Sequence, residues 1–124
     1  MVLDSSALLA LAKGEPGGEM VARHLDGALV CVVNLTEVMT KMIDRGDTPE
    51  IAAAYTMSFP CTSVPFDLGL ALHAGSLRVA TRNKGLSLGD RACLALAMRE
   101  RLPVMTADRA WADLDLPVEV VLIR

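Results

Sequence analysis

Short apolar runs separated by longer amphipathic segments organise the whole chain. Continuous apolar runs occupy residues 1–4 (MVLD), 28–33 (ALVCVV) and 103–106 (PVMT). Their lack of polar alternation is typical of strands that are buried on both faces. A weaker extended segment lies at 62–66, and VEVVLI at 118–123 predicts the last strand.

Segments with helical spacing of apolar residues lie between these strands. Gly14 and Pro16 end the first helix, and Thr48 before Pro49 is a typical helix start. The predicted helices cover residues 6–13, 17–26, 34–45, 47–59, 67–82, 87–102 and 107–114. The helix at 87–102 is apolar on nearly every side, which predicts a central position. Strands that alternate with helices indicate a mainly parallel sheet, and so a single three-layer α/β/α domain over residues 1–124.

Composition narrows the functional classes. The chain has 124 residues, 52% of them hydrophobic but only 3% aromatic, so its core must be aliphatic. A net charge of −3 argues against a broadly basic nucleic-acid surface, although it leaves room for a local basic rim. The odd number of cysteines (Cys31, Cys61 and Cys93) predicts buried reduced thiols. With no secretion signal and no apolar run of about 18 residues, we expect a soluble cytoplasmic protein.

Acidic residues stand where predicted strands give way to helices. Asp4 follows the first strand, Glu37 the second and Asp108 the strand at 103–106, and Asp90 lies in the first turn of the apolar helix. Each has a purely local interpretation. Asp4 and Asp108 suit helix N-termini, while the pairs Asn34–Glu37 and Ser87–Asp90 have the spacing of a capping box.

Their common position favours a site over four separate caps. Parallel strands end at one edge of a sheet, where open α/β sheets bind ligands. At a separation of about 6 Å and an effective dielectric of about 20, each pair of carboxylates costs roughly 3 kcal/mol. Four gathered acids must therefore take up protons or bind a cation. Oxygen ligands without neighbouring His or Cys pairs favour Mg²⁺, or Mn²⁺.

The segments LDSSALLALA, NLTEV, LGDRACLALA and MTADRAW, in this order, resemble the PIN-domain nucleases, and most closely the VapC-type toxins of toxin–antitoxin pairs. The resemblance spans nearly the whole chain. It implies a Mg²⁺-dependent ribonuclease with an α/β/α fold, a homodimer, and a cognate antitoxin that inhibits it. It also implies that Asp4, Glu37, Asp90 and Asp108 are the four metal-binding acids.

The same resemblance assigns supporting hydroxyl groups. Ser5 stands where the family often has Thr, and Thr106 matches the hydroxyl residue ahead of the fourth acid. A further acid, Asp113, is predicted to lie on the surface rather than in the site. With no suitable side-chain nucleophile in view, hydrolysis of an RNA phosphodiester by metal-activated water is the expected reaction.

Basic residues near these acids are candidate RNA contacts. Arg78, Arg82 and Lys84 precede the Asp90 helix, and Arg91 and Arg109 each follow one of the acids directly. Of these, Arg82, Lys84, Arg91 and Arg109 are the predicted RNA-binding residues. Taken alone, each of these residues is better explained as part of a solvated helix end or loop.

Two further interpretations stay open. A receiver-like phospho-accepting signalling domain also gathers acids at the carboxyl edge of a parallel sheet and binds Mg²⁺. It needs a paired acid after the first strand and a lysine near the last, whereas here a serine pair follows Asp4 and no lysine follows Lys84.

Separately, the segment 34–59 is rich in apolar side chains that either cover the sheet or form a dimer face. These are Met39, Met42, Ile43, Tyr55 and Met57.

Overall fold

Five short parallel strands form the central sheet of the protein in a computed structural model that describes residues 1–124. The strand order is β3-β2-β1-β4-β5, with every neighbouring pair parallel. The strands are β1 (Val2–Leu3), β2 (Leu29–Cys31), β3 (Thr62–Val64), β4 (Val104–Thr106) and β5 (Val120–Leu122). The predicted parallel sheet is confirmed.

Seven α-helices connect and cover the strands. They are α1 (Ser5–Lys13), α2 (Gly18–His24), α3 (Val32–Asp44), α4 (Pro49–Met57), α5 (Leu68–Ser76), α6 (Arg78–Thr81) and α7 (Leu88–Glu100). Short 3₁₀ helices lie at Arg82–Lys84 and Arg109–Asp113, and the second is the short helix predicted at 107–114. No helix is long and apolar enough to cross a membrane.

The core is divided between the two faces of the sheet, which explains the continuous apolar runs. In β1, Val2 faces the layer of α5 and α7, and Leu3 faces the layer of α1 to α4. Val104 and Met105 of β4 divide in the same way. Because successive side chains of a strand point to opposite faces, both must be apolar when both faces are covered. The α/β/α architecture is thus as predicted.

Helix α7 occupies the centre of its layer. Its six consecutive residues 92–97 are all fully buried, so the prediction of a central helix is confirmed. All three cysteines are unpaired, with Cys31 and Cys93 buried and Cys61 partly so.

Two predicted boundaries were wrong. Helix α3 begins at Val32, directly after β2, so Asn34 lies inside the helix and does not cap it. The segment predicted as one helix over 67–82 is interrupted after Ser76. The hydroxyl of Ser76 donates to the carbonyl of His73 at 2.7 Å, a local bond that competes with the regular helical pattern.

The strand order places a crevice at the end of β1. The chain builds β1, β2 and β3 outward in one direction and then returns to place β4 and β5 on the other side of β1. Connections therefore diverge between β1 and β4, and in open α/β sheets such a point is the usual ligand position. Asp4 follows β1 and Asp108 lies two residues beyond β4, so both belong to this edge.

Candidate functional site

Asp4 is the buried acid at the centre of this edge. It is 3% exposed, and its Oδ1 accepts a 2.8 Å hydrogen bond from the backbone N–H of Ala7, so it caps α1 as predicted. Its Oδ2 accepts from the hydroxyl of Thr106 at 2.8 Å. The Ser6 hydroxyl lies 2.7 Å from Oδ1 and 2.9 Å from Oδ2. Capping alone does not require this degree of burial, since most capping acids are solvated.

The environment of Asp4 disfavours its charge. Burial raises the pKa of the carboxyl group from 3.8 to about 6, although the bonds from Ala7, Ser6 and Thr106 oppose the shift. The negative charge of Asp90 adds to the rise. A carboxylate that is desolvated and close to a second acid is the electrostatic arrangement that a bound cation would relieve.

Thr106 connects β4 to the same network. It is fully buried at the end of β4, donates to Asp4, and accepts from the backbone N–H of Asp108 at 3.0 Å. The Asp108 side chain in turn accepts from the N–H of Ala110 at 2.9 Å and so begins the 3₁₀ turn. Asp108 is exposed, which leaves its carboxylate available at the rim of the crevice.

Glu37 reaches the crevice from the second turn of α3. Its Oε1 accepts from the Ser5 hydroxyl at 3.1 Å and from the Asn34 amide at 3.0 Å. The predicted hydroxyl of Ser5 therefore supports Glu37, while the neighbouring Ser6 supports Asp4. Glu37 also lies directly against Gly89 in the first turn of α7.

Asp90 lies in the first turn of α7, in the predicted capping box. The N–H of Ser87 donates to Oδ2 of Asp90 at 2.9 Å, and the N–H of Asp90 donates to the Ser87 hydroxyl at 3.1 Å. Burial raises the pKa of Asp90, and the charge of Asp108 raises it further. The capping box is confirmed, and the same residue is electrostatically coupled to the other acids.

The four acids share one neighbourhood without forming a closed cluster. Contacts and charge effects link Asp4 to Asp90, Asp90 to Asp108, and Glu37 to the first turn of α7. No three Asp, Glu, His or Cys side chains converge closely enough to hold a metal ion in this geometry. The donor chemistry nevertheless fits a hard cation, because every available ligand is an oxygen and the central carboxylate is buried and destabilised.

The predicted basic residues have different surroundings. Arg91 donates to the carbonyl of Ala74 in α5 at 3.1 Å, and its Nε is buried without a partner. Lys84 forms a 3.0 Å ion pair with Asp113, which lies on the surface as predicted and has its pKa lowered by this partner. Arg109 donates to the carbonyl of Arg124 at 3.3 Å. Their contact with RNA stays a prediction.

Arg82 is the remaining predicted RNA contact. It is exposed and forms no hydrogen bond or ion pair within the chain. A phosphate can therefore approach its guanidinium group without displacing any protein partner.

Three residues around the acids had no predicted supporting role. Ser6 accepts from the backbone N–H of Ala107 at 2.9 Å and joins α1 to the end of β4. Asn34 and Gly89 contact Glu37 from two helices. A second serine in a pair, a buried asparagine and a helical glycine have ordinary local explanations, so only the tertiary contacts distinguish them.

Known proteins share the sequence pattern and the fold of this chain. The sequence model of the PIN domain matches residues 1–116. A toxin–antitoxin complex from Klebsiella pneumoniae contains a chain with 19% identity and a TM-score of 0.75, with 99% of this chain and 97% of that chain covered. No curated protein sequence matches the chain significantly.

Two further solved structures have the same fold. DNA-bound VapBC from Salmonella typhimurium has 17% identity and a TM-score of 0.75, covering 99% of this chain and 97% of that one. VapC20 from Mycobacterium tuberculosis, a sarcin-ricin loop cleaving toxin, has 17% identity and a TM-score of 0.71, covering 95% and 98%. At these identities the likeness establishes the fold.

Proposed function

The chain belongs to the PIN-domain family, and from this premise we propose that it is a Mg²⁺-dependent endoribonuclease and the toxin of a toxin–antitoxin pair. The observation that carries the proposal is the buried carboxylate of Asp4, with its pKa raised to about 6, at the carboxyl edge of the sheet among three other acids. The receiver-like alternative is not retained, because the chain is a PIN domain and lacks the paired acid and the lysine that phospho-acceptance needs.

In the proposed mechanism Asp4, Glu37, Asp90 and Asp108 hold Mg²⁺, with Mn²⁺ as a substitute. When bound, the cation supplies an activated water and stabilises negative charge on the scissile phosphate. Thr106 orients Asp4 by donating to Oδ2, which leaves the carboxylate fixed in position. Arg82 lies free at the surface to hold the RNA backbone.

RNA is the proposed substrate on the basis of the family and of one structural neighbour, VapC20, which is a sarcin-ricin loop cleaving toxin. Low aromatic content disfavours a stacking platform for unpaired bases, so contacts to phosphate are expected to dominate binding. The family resemblance, rather than the residue chemistry, is the basis for proposing single-stranded or looped RNA as the substrate at the crevice.

The cleavage test separates capping from catalysis at Asp90. Asp90→Asn keeps the size and one capping oxygen but removes the charge, so we expect an intact fold and a loss of RNA cleavage of more than about 100-fold. Asp26→Asn makes the same chemical change at an exposed acid after α2 and should cleave normally. Wild-type cleavage should also disappear in EDTA. An Asp90→Asn protein that cleaves RNA at the wild-type rate would show that this carboxylate only caps α7.

A second test addresses the cation directly. Mg²⁺ or Mn²⁺ should raise the melting temperature of the wild type, because a ligand that binds only the folded state stabilises it. The double variant Asp4→Asn, Asp90→Asn should lose this shift. If the variant keeps the full shift, the cation binds elsewhere.

We propose that partner proteins bind to two sets of exposed apolar side chains. Within the predicted dimer segment, Met42 of α3 is buried and covers the sheet, whereas Ile43, Tyr55 and Met57 of α3 and α4 are exposed. A second set of exposed apolar side chains lies on α5, α6 and the start of α7, where four side chains are 54% to 81% exposed. These are Leu68, Leu72, Val79 and Leu88.

The predicted dimer segment at 34–59 keeps exposed apolar side chains on α3 and α4, so we propose this face for the second copy of a homodimer and the apolar set on α5–α7 for the cognate antitoxin. Ile43→Glu together with Met57→Glu should convert a dimer to a monomer in light scattering, whereas Leu72→Glu on α5 should not. Leu72→Glu should instead weaken inhibition by the antitoxin in the cleavage assay. A wild-type chain that is monomeric at every concentration would exclude the dimer.

A further inference from the structure

Asn34 occupies an unusual position for a polar side chain. It is 1% exposed inside α3, and its amide nitrogen donates twice: to Oε1 of Glu37 at 3.0 Å and to the carbonyl of Gly89 at 3.1 Å. Both partners are acceptors, which fixes the orientation of the amide. Its oxygen Oδ1 is buried without any partner. An arrangement that leaves one polar atom unsatisfied is costly, so stability alone does not account for asparagine here.

Gly89 completes the same contact from α7. Gly89 does not have a positive φ, so its backbone conformation does not require glycine at this position. A Cβ atom would instead overlap the carboxylate of Glu37. Glycine in a helix is less favourable than alanine, because its backbone loses more conformational freedom on folding. The space that its missing side chain provides is therefore used to let Glu37 lie against the first turn of α7.

Together these contacts hold one oxygen of Glu37 and leave the other free. Ser5 and Asn34 both donate to Oε1, while no protein donor reaches Oε2. We propose that Asn34 and Gly89 are a positioning pair, which presents Oε2 of Glu37 to the divalent cation beside Asp90. The inference rests on the proposed function in naming the cation, but its geometry stands on the apo protein alone.

Asn34→Leu tests the amide. Leucine has a similar shape, removes the unsatisfied Oδ1, and leaves the Gly89 carbonyl its own helical donor. The melting temperature of the apo protein should be unchanged or higher. Affinity for Mn²⁺, measured by calorimetric titration of the metal alone, should fall about 10- to 100-fold, as is typical when a residue that orients a metal ligand is lost. A residue with a purely structural role would give the opposite pair of results, with lower stability and unchanged affinity.

Gly89→Ala tests the space, with Glu37→Ala as the matched background. In the wild-type background alanine should displace the flexible Glu37 carboxylate and weaken Mn²⁺ binding about 10-fold or more. In the Glu37→Ala background the same substitution should have no further effect on affinity. The proposal would be overturned if Gly89→Ala lowered Mn²⁺ affinity equally in both backgrounds, or if Asn34→Leu bound Mn²⁺ as tightly as the wild type.

The same cycle in apo protein separates this inference from the proposed function. Where Glu37 is absent, Gly89→Ala should raise the melting temperature by a few degrees through helix propensity. Where Glu37 is present, displacement of its carboxylate from Ser5 and Asn34 should cancel that rise. Identical shifts of melting temperature in the two backgrounds would refute the contact between Gly89 and Glu37. A wild type that binds no Mn²⁺ would refute the metal site, while the thermal cycle would still decide the contact.

Discussion

Replacing Asp4 with asparagine should stabilise the metal-free protein and at the same time abolish the RNA cleavage proposed for it. The carboxyl group has a pKa of about 6 in the folded protein and 3.8 as its ordinary value. The folded state therefore binds the Asp4 proton more tightly than the unfolded state does. Stability must fall as pH rises from about 3.8 to 6, and it stays reduced above that range.

The size of this loss of stability follows from the pKa shift of Asp4. A difference of about two pKa units corresponds to about 3 kcal/mol of destabilisation above pH 6. Because Asp4 is 3% exposed, solvent screening reduces this little. For a domain of this length the gain in Asp4→Asn corresponds to a rise in melting temperature on the order of 10 °C, as an upper bound.

The surroundings of Asp4 accommodate asparagine. Its oxygen can accept from Ala7 as before, and its amide can donate to the Thr106 hydroxyl. Thr106 can then turn its proton to Ser6, whose oxygen lies 3.2 Å away. The hydrogen-bond network therefore survives with one rotated hydroxyl, and most of the electrostatic gain should be retained.

The assay is thermal or urea unfolding in EDTA at pH 5 and pH 8. About half of the full stabilisation should appear at pH 5 and all of it at pH 8, because the penalty develops between the two pKa values. Asp26→Asn, an exposed acid after α2, is the matched control and should show no such dependence. If Asp4→Asn is no more stable than the wild type at pH 8, or is stabilised equally at both pH values, the buried charge of Asp4 does not destabilise the folded protein.

Three other outcomes test the packing and the surface. Gly17 has a positive φ of 91°, and a Cβ atom there would overlap the Ile123 carbonyl. Gly17→Ala should therefore lower the melting temperature more than Gly14→Ala, because Gly14 has a φ of 64° but open space around it. Equal losses of melting temperature would contradict the steric argument. Trp111 is fully buried, and Trp111→Ala should cost about 3–5 kcal/mol in urea unfolding, whereas a loss below about 1 kcal/mol would contradict its place in the core. Arg82→Ala should weaken RNA binding and reduce the slope of log affinity against log salt by about 1, with Mn²⁺ affinity unchanged; an unaltered slope would remove Arg82 from the interface.

The sequence by itself determined the class of fold and the order of its elements. Continuous apolar strands such as Leu29–Cys31 require cover on both faces, and that requirement alone indicates a parallel sheet between helical layers. Local capping chemistry was equally readable: Asp4, Thr48 and the Ser87–Asp90 box all begin helices where predicted. These signals are short in range, so one sequence contains them completely.

Only the tertiary structure decided how the acids are held. The spacing of Asn34 and Glu37 predicted a cap, but α3 starts earlier, at Val32, and the pair instead meets Gly89 of α7. Likewise Ser6 joins Asp4 to Thr106, a contact between residues 100 positions apart. Local patterns carry no information about such distant pairings. The burial that raises the pKa of Asp4 is likewise a property of the assembled sheet edge, because it depends on which elements pack around the carboxylate.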